Sequence, residues 1–442
     1  MIFAIFVLFS MNLILRLNDF VESVRGFPLA EVVIPLLLIA WLLFEKKDFS
    51  LLPDVLIPAF FCIVVVGYAI MVWPGGALEV GKALVPWVAM YYLSANLVRT
   101  RARLDWFLAA FYIVTLALVF HSLQQFMSYD GVDDKTGVGW SGENVYRGRV
   151  RYVGVMRDPN DLALFFAMMM PVPLMLTVKS MKFSRQALGF ALCIPLLAGI
   201  YFTNSRGGLL ATGAVAGVYI WRRWGAISSL TACTLFACAV LAFGPSRVRE
   251  SDLSDQASTQ GRIDAWYSGI QYVKQYPVLG IGKDQFVEHN ALTAHNSFVL
   301  CFSETGLPGY VLWFGALFCA AYAMYATLQR CRPESPGWRQ STALFTSLCA
   351  FCVGGFFLSR TYFILLPVFL GLAMAQYRIA RQEWRDAEYG HGYIDPDVSS
   401  LKPGAAPLPD LTWANGVVWM PRIALMAMLS IGMIYVLVKL KL

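Results

Sequence analysis

Apolar runs of roughly 15–23 residues recur from one end of the chain to the other, each long enough to cross roughly 30 Å of hydrocarbon as a helix. No water is available at that depth for backbone N–H and C=O groups, so a segment of this kind closes its own hydrogen bonds as a helix. Barrel strands would alternate apolar and polar residues over about ten positions, a pattern this chain lacks. Composition agrees: 58% of the 442 residues are hydrophobic and 14% charged, where soluble domains carry about 25% charged. The expected fold is therefore all-α, a polytopic transmembrane bundle of about 12–13 helices.

Spans are expected near 1–16, 27–44, 54–73, 81–98, 104–125 and 160–178. Further ones fall near 187–203, 207–222, 226–244, 306–328, 341–358, 361–379 and 418–438. The first run lacks the basic leader and small-residue cleavage site of a signal peptide and is read as a helix of the bundle. With these spans alternating, Lys46-Lys47, Arg99/Arg101/Arg103, Lys179/Lys182/Arg185, Arg222-Arg223, Arg330/Arg332/Arg339 and Arg378/Arg381/Arg385 fall on one side. The positive-inside rule makes that side cytoplasmic. The chain then divides into a bundle over 1–244 with an outer loop at 126–158, a long helical outer segment at 245–305, spans over 306–379, an inner linker at 380–417 and a last helix over 418–442. Long outer loops are where a site is expected, because they escape the packing constraints of the spans. The nine cysteines lie mostly inside apolar runs without zinc-site spacing, and read as small core residues.

In the first outer loop, Arg147, Arg149 and Arg151 alternate, which sets three guanidinium groups on one face of an extended segment. Two readings stand: an anion site, or a solvated edge balanced by Asp130, Asp133 and Asp134. Arg157-Asp158-Pro159-Asn160-Asp161 precedes an apolar run, ordinary helix-start chemistry in which Asp or Asn caps and Pro opens the first turn. Asn204-Ser205-Arg206-Gly207-Gly208 joins two spans on the side poor in basic loops, and Arg360 repeats the situation at the other outer hairpin. Either arginine could be a snorkelling anchor; an ionisable residue at the bilayer edge is equally a functional candidate.

In the second outer segment, Ile263, Trp266, Ile270 and Val273 recur at helical spacing, which predicts an amphipathic helix lying on the membrane surface. Arg262 and Trp266 stand four residues apart on a neighbouring face. Pro277, Gly280 and Gly282 end the helix, and Ala294-His295-Asn296-Ser297 and Glu304-Thr305-Gly306 lead into the next span. His289 and His295 are six residues apart, unlike the i, i+4 pair that shares a zinc on one helix face, so no metal is expected. A single histidine here is either a hydrogen-bonded structural residue or a base. Guanidinium suits phosphate, being planar, always charged and able to donate two parallel bonds. Arginines at the head-group level thus point to a diphosphate anchored in the bilayer, with a histidine nearby to take a proton from an attacking hydroxyl.

From about Arg151 to Ser359 the chain resembles the bacterial O-antigen ligase family, a branch of the membrane-embedded C-type glycosyltransferases. The resemblance rests on Asp158-Pro159-Asn160-Asp161-Leu162-Ala163, Ser205-Arg206-Gly207-Gly208, Gly261-Arg262 with Trp266, Pro277-Val278-Leu279-Gly280-Ile281-Gly282, Ala294-His295-Asn296-Ser297 and Glu304-Thr305-Gly306, in that order. It implies an undecaprenyl-diphosphate-linked glycan donor and metal-independent, inverting transfer to the hydroxyl of lipid A-core or another acceptor. No cofactor is implied. The site would face the periplasm from a bacterial inner membrane, with membrane lipids as further partners. His295 would be the base, and Arg206 and Arg262 the diphosphate ligands. Arg360, Arg151, Arg157, Asp158, Asn160, Trp266, Asn296 and Glu304 are carried as substrate-binding positions.

The same donor site would serve an O-antigen or exopolysaccharide polymerase or an O-linked protein oligosaccharyltransferase, which differ in the acceptor. A transporter or flippase would share the many spans, but transporters often show repeated halves, and none is visible here. The net charge of +7 is divided between two membrane faces, which fits anionic lipids and diphosphates as partners and fits a nucleic-acid role poorly.

Overall fold

A computed structural model of the chain describes residues 1–20, 22–24, 27–128, 149–152, 156, 158–243, 253–388, 400–402, 404 and 406–441. Helices follow one another as α1 (Ile2–Leu15), α2 (Leu17–Phe20), α3 (Leu29–Phe44), α4 (Pro53–Met71), α5 (Ala77–Leu97), α6 (Arg101–Ser128), α7 (Pro159–Met169) and α8 (Pro171–Leu174). Then come α9 (Phe183–Thr203), α10 (Arg206–Trp224), α11 (Ala226–Phe243), α12 (Leu253–Gln275) and α13 (Phe286–His289). The last are α14 (Ser297–Arg330), α15 (Pro336–Gly355), α16 (Leu365–Glu388) and α17 (Gly416–Lys441). Among the described residues, strand-like pairing amounts to isolated bridges such as Leu51 with Thr412 and Cys331 with Leu401. The all-α, multi-pass expectation holds.

By length and apolarity alone, α4, α6, α9, α14 and α17 can each cross a membrane, and α1, α3 and part of α11 are shorter apolar helices. The remaining long helices are more polar because they carry the bundle's interior contacts. Ser94 and Asn96 on α5 and Gln376 on α16 are buried. α7 is buried on every side, its residues from Asp161 to Met169 all lying in the core. The expected span at 160–178 is thus a short central helix that breaks before Pro171, whose ring and missing N–H end the ladder. The span expected from 306 instead begins at Ser297 and bends at Gly306, where φ is 68°.

The structure also corrects the reading of α12. Its apolar stripe, Trp266, Ile270 and Val273, is buried within the protein, where the helix packs on α14 and α17. A stripe leaves water equally well against a bilayer or against another helix, and here the neighbouring helices take it.

The basic connections share one end of the bundle because they touch one another. Arg101 of α6 reaches Glu383 of α16, Arg378 of α16 reaches Asp48 and Asp54, Arg99 reaches Glu45, and Arg330 donates to Ala406 and Pro407 in the linker. The opposite end holds the α9–α10 and α15–α16 tips, the segment at 149–152 and the chain leading into α14.

Candidate functional site at the end opposite the basic connections

The start of α7 organises this end. Asp158 caps the helix, its Oδ1 accepting from Asn160 N at 2.7 Å and Asn160 Nδ2 at 2.9 Å, with Pro159 at the first helical position. Capping is therefore the local role, but the same turn also binds three distant segments. Asn160 Oδ1 accepts from Arg149 Nη2 at 3.0 Å and from Ser205 Oγ at 2.8 Å. Asp161, buried, accepts from Arg360 Nε, and Arg360 Nη2 lies 3.9 Å from Asp158 Oδ2.

At the α9–α10 tip, Asn204 takes the left-handed conformation (φ 49°) that ends one helix, and Ser205 Oγ accepts from Gly208 N at 3.1 Å to start the next. Gly208 has a packing reason: a Cβ there would lie 2.4 Å from that of Ala163, so α10 approaches α7 backbone to side chain. Arg206 is the exposed first residue of α10. A Cβ on its neighbour Gly207 would touch Cβ of Phe357 at 3.7 Å, so Arg206 stands beside the tip that carries Arg360.

Of the alternating arginines, Arg149 is buried and donates to Thr203 O at 3.0 Å besides Asn160, so it braces the tip. Arg151 is half-buried in the adjoining extended segment. Arg147, Arg157 and the acidic residues Asp130, Asp133 and Asp134 lie outside the described residues.

His295 is held between two anchors. Before it, Trp266 Nε1 on α12 donates to Ala294 O at 2.9 Å, and the indole meets Phe356 edge-on at 5.2 Å. After it, Asn296 caps α14, Oδ1 accepting from Phe298 N at 2.9 Å and Val299 N at 3.1 Å. His295 itself has φ 48°, a conformation in which His, Asn and Asp are over-represented. The next residue ties this loop to the α15–α16 tip: Ser297 Oγ donates to Leu358 O at 2.6 Å and accepts from Arg360 N at 2.8 Å. Thr293 Oγ1 and Ser359 Oγ meet at 2.8 Å, and Thr361 Oγ1 donates to Ser297 O at 2.7 Å.

The half-buried imidazole titrates below the ordinary histidine value. Burial is the main cause, the positive charge of Arg262 the next; Asp158 opposes them and Arg360 adds to them. His295, Arg262, Arg360 and Asp158 therefore share one electrostatic neighbourhood, and the neutral imidazole is the form this site favours.

Glu304 belongs to a different contact. The 277–282 turn and the bend of α14 touch backbone to backbone, with Ile281 N donating to Ser303 O at 2.9 Å, Gly282 N to Glu304 O at 3.0 Å and Leu307 N to Pro277 O at 2.8 Å. A Cβ on Gly280 would lie 2.4 Å from Glu304 C, and one on Gly306 would lie 2.5 Å from Val278 C. Both glycines have positive φ. Glu304 is buried under this turn, near Phe286 N and the Tyr362 hydroxyl. The two glycine motifs are thus a structural junction at the bend of α14.

Sequence reasoning carried Asp161, Arg149 and Ser297 only as members of local motifs, without the contacts they make here, and did not single out Thr293. Asp161 stands three residues after Asp158, close to one face of a helix start, and that spacing was its available signal. The others act only through partners far away in the chain.

What these features define is a multi-pass helical membrane protein with an arginine–histidine site at the end away from its basic loops. Residues 191–314 match the family described as O-antigen ligase, and that match supports a glycosyltransferase of the ligase or polymerase type. The matched stretch holds Arg206, Arg262, Trp266, His295, Asn296 and Glu304. No curated protein matches the chain.

Proposed function

We propose that the protein moves a glycan from undecaprenyl diphosphate to an acceptor hydroxyl, on lipid A-core or another glycoconjugate, at the periplasmic face of a bacterial inner membrane. The observation that carries this reading is that the tip bearing Arg360 and the helix bearing Arg262 are both bonded to the His295 loop, through Ser297 Oγ with Arg360 N at 2.8 Å and Trp266 Nε1 with Ala294 O at 2.9 Å. The acceptor oxygen attacks the anomeric carbon as its proton passes to neutral His295. The bond from that carbon to the diphosphate oxygen breaks, and the electron pair leaves on the diphosphate. Arg206, Arg262 and Arg360 meet the charge that develops there. One displacement inverts the anomeric centre. Because Asp158 and Asp161 face Arg360, they are read as supports of the arginine set; Trp266 and Asn296 hold the His295 loop in shape.

An apolar cavity of about 410 Å³, lined by Phe298, Phe356, Phe357, Met433 and Leu437 among others, adjoins the Trp266–Phe356 contact. An apolar space beside a cationic cluster suits a substrate with a diphosphate head and a hydrocarbon chain.

The test is product analysis. Full-length protein in liposomes is given a polyprenyl-diphosphate oligosaccharide and a candidate acceptor, with chelator present, and wild type is compared with His295→Asn. Glycan on the acceptor in wild type and none in the variant supports the reading. Chains that lengthen on the lipid would make the enzyme a polymerase with the same donor site. A donor left intact with every acceptor would turn the reading toward transport.

A further inference from the structure

Arg360 is fixed from two directions. Its backbone N–H is bonded to Ser297 Oγ at 2.8 Å, and its Nε to the carboxylate of Asp161, whose side chain is 6% exposed. Asp161 stands on the first turn of α7, the most enclosed helix at this end, and is too deep to meet a substrate itself. A guanidinium has two hydrogen-bonding edges. Asp161 takes the inner one. On the outer one, Nη2 is 3.9 Å from Asp158 Oδ2, an ion-pair separation rather than a hydrogen bond, and Nη1 is 3.4 Å from Ser359 O. Asp158 is itself committed through Oδ1 to Asn160. The side chain of Arg360 remains 32% exposed.

A pair that served only stability would look like Arg378 at the other end. That guanidinium is 14% exposed and meets Asp54, Asp48 and two backbone carbonyls together. Arg360 is instead held firmly through Nε alone, its terminal nitrogens making only longer contacts, and its charge reaches His295.

We infer that Asp161 is a positioning residue, which fixes Arg360 by its inner edge so that the terminal nitrogens present a two-pronged site for the diphosphate of the lipid-linked donor. This rests on the donor reading proposed above. The half-exposed carboxylate of Asp158 stands beside the same prong as a placeholder anion, which a phosphate oxygen displaces when donor arrives.

Binding of farnesyl diphosphate and of farnesyl monophosphate to full-length protein in detergent, followed by melting-temperature shift over a concentration series, reads this without requiring turnover. Wild type is expected to prefer the diphosphate. Asp161→Asn and Arg360→Ala are each expected to weaken diphosphate binding by about tenfold, with the monophosphate affected less. The double variant should be no weaker than Arg360→Ala alone, because both changes remove one function. Wild-type diphosphate affinity in Asp161→Asn, or a double variant that loses the product of the two factors, overturns the inference. If Asp161→Asn does not accumulate, Arg360→Lys decides: an ammonium cannot bind Asp161 with one edge and present another, so it should behave as Arg360→Ala, and wild-type affinity there overturns it. If wild type itself fails to bind farnesyl diphosphate, the donor reading falls instead.

Discussion

The two ends of the bundle use arginine in opposite ways. At the basic end Arg378 donates to Asp54 Oδ2 at 2.7 Å, Ala95 O at 3.0 Å and Asp48 O at 2.8 Å. Asp54 in turn accepts from Tyr91 at 2.8 Å and Leu51 N at 2.8 Å. Arg101 forks onto Glu383 through Nε and Nη2, both at 2.6 Å, and reaches Gln340 Oε1 at 2.9 Å. Arg378 and Arg101 each meet a carboxylate from another helix, and the result is a latch across α4, α5, α6 and α16. At the opposite end Asp158 and Asp161 both attend one arginine, Arg360, while Arg206 is exposed at a helix start and Arg262 acts on His295 through its charge. Arg378 and Arg101 are thus closed into the scaffold by protein acids, whereas Arg360, although it meets two acids, keeps a side chain that is 32% exposed.

Substitutions at the two ends should therefore separate rate from stability. The largest expected effect is on rate: His295→Asn, which keeps a residue at home with φ 48°, should cut glycan transfer by about 10²- to 10⁴-fold with little change in melting temperature. A variant that melts early and retains its rate per folded molecule would place His295 in the scaffold. Arg378→Ala should do the reverse. It leaves Asp54 buried without its partner, at a cost of about 3–5 kcal/mol, read as a large fall in melting temperature with normal turnover by the molecules that remain folded.

Gly306→Ala comes next. It sets a Cβ against Val278 C at 2.5 Å in a left-handed backbone, a clash worth about 1–3 kcal/mol, and because α14 begins at the His295 loop, both stability and rate should fall. Loss of neither would show that the junction yields freely. The smallest effect is a shift in a pH profile. The base acts as neutral imidazole, so rate is present above the pKa of His295 and lost as pH falls through it. Arg262 is among the causes that hold this pKa down, so Arg262→Gln should move the acid limb to higher pH, whatever it does to the maximum. A limb that stays put would separate the two residues.

Some of the site was legible before any packing was known. Asp158, Ser205 and Asn296 cap helices because each side chain reaches an N–H two or three residues on, and such bonds depend on local spacing. The turn glycines were legible for the same reason, although their purpose, the backbone contact between 277–282 and α14, was not. The amphipathic stripe of α12 was read correctly as apolar and assigned the wrong partner, since periodicity shows that a face leaves water and not what it meets.

Sequence alone determined that this chain is an all-helical, multi-pass membrane protein, that its basic loops alternate with poorer ones, and that its candidate arginines and His295 lie in the poorer set. Those properties follow from run length, backbone hydrogen bonding and local charge, each counted along the chain. Only the tertiary structure decided that Arg360 meets Asp161, 199 residues away, that Arg149 and Ser205 converge on Asn160, and that Trp266 fixes the loop of His295. Those contacts depend on how close the helices come and at what rotation, which side-chain packing across the bundle sets and no local pattern encodes.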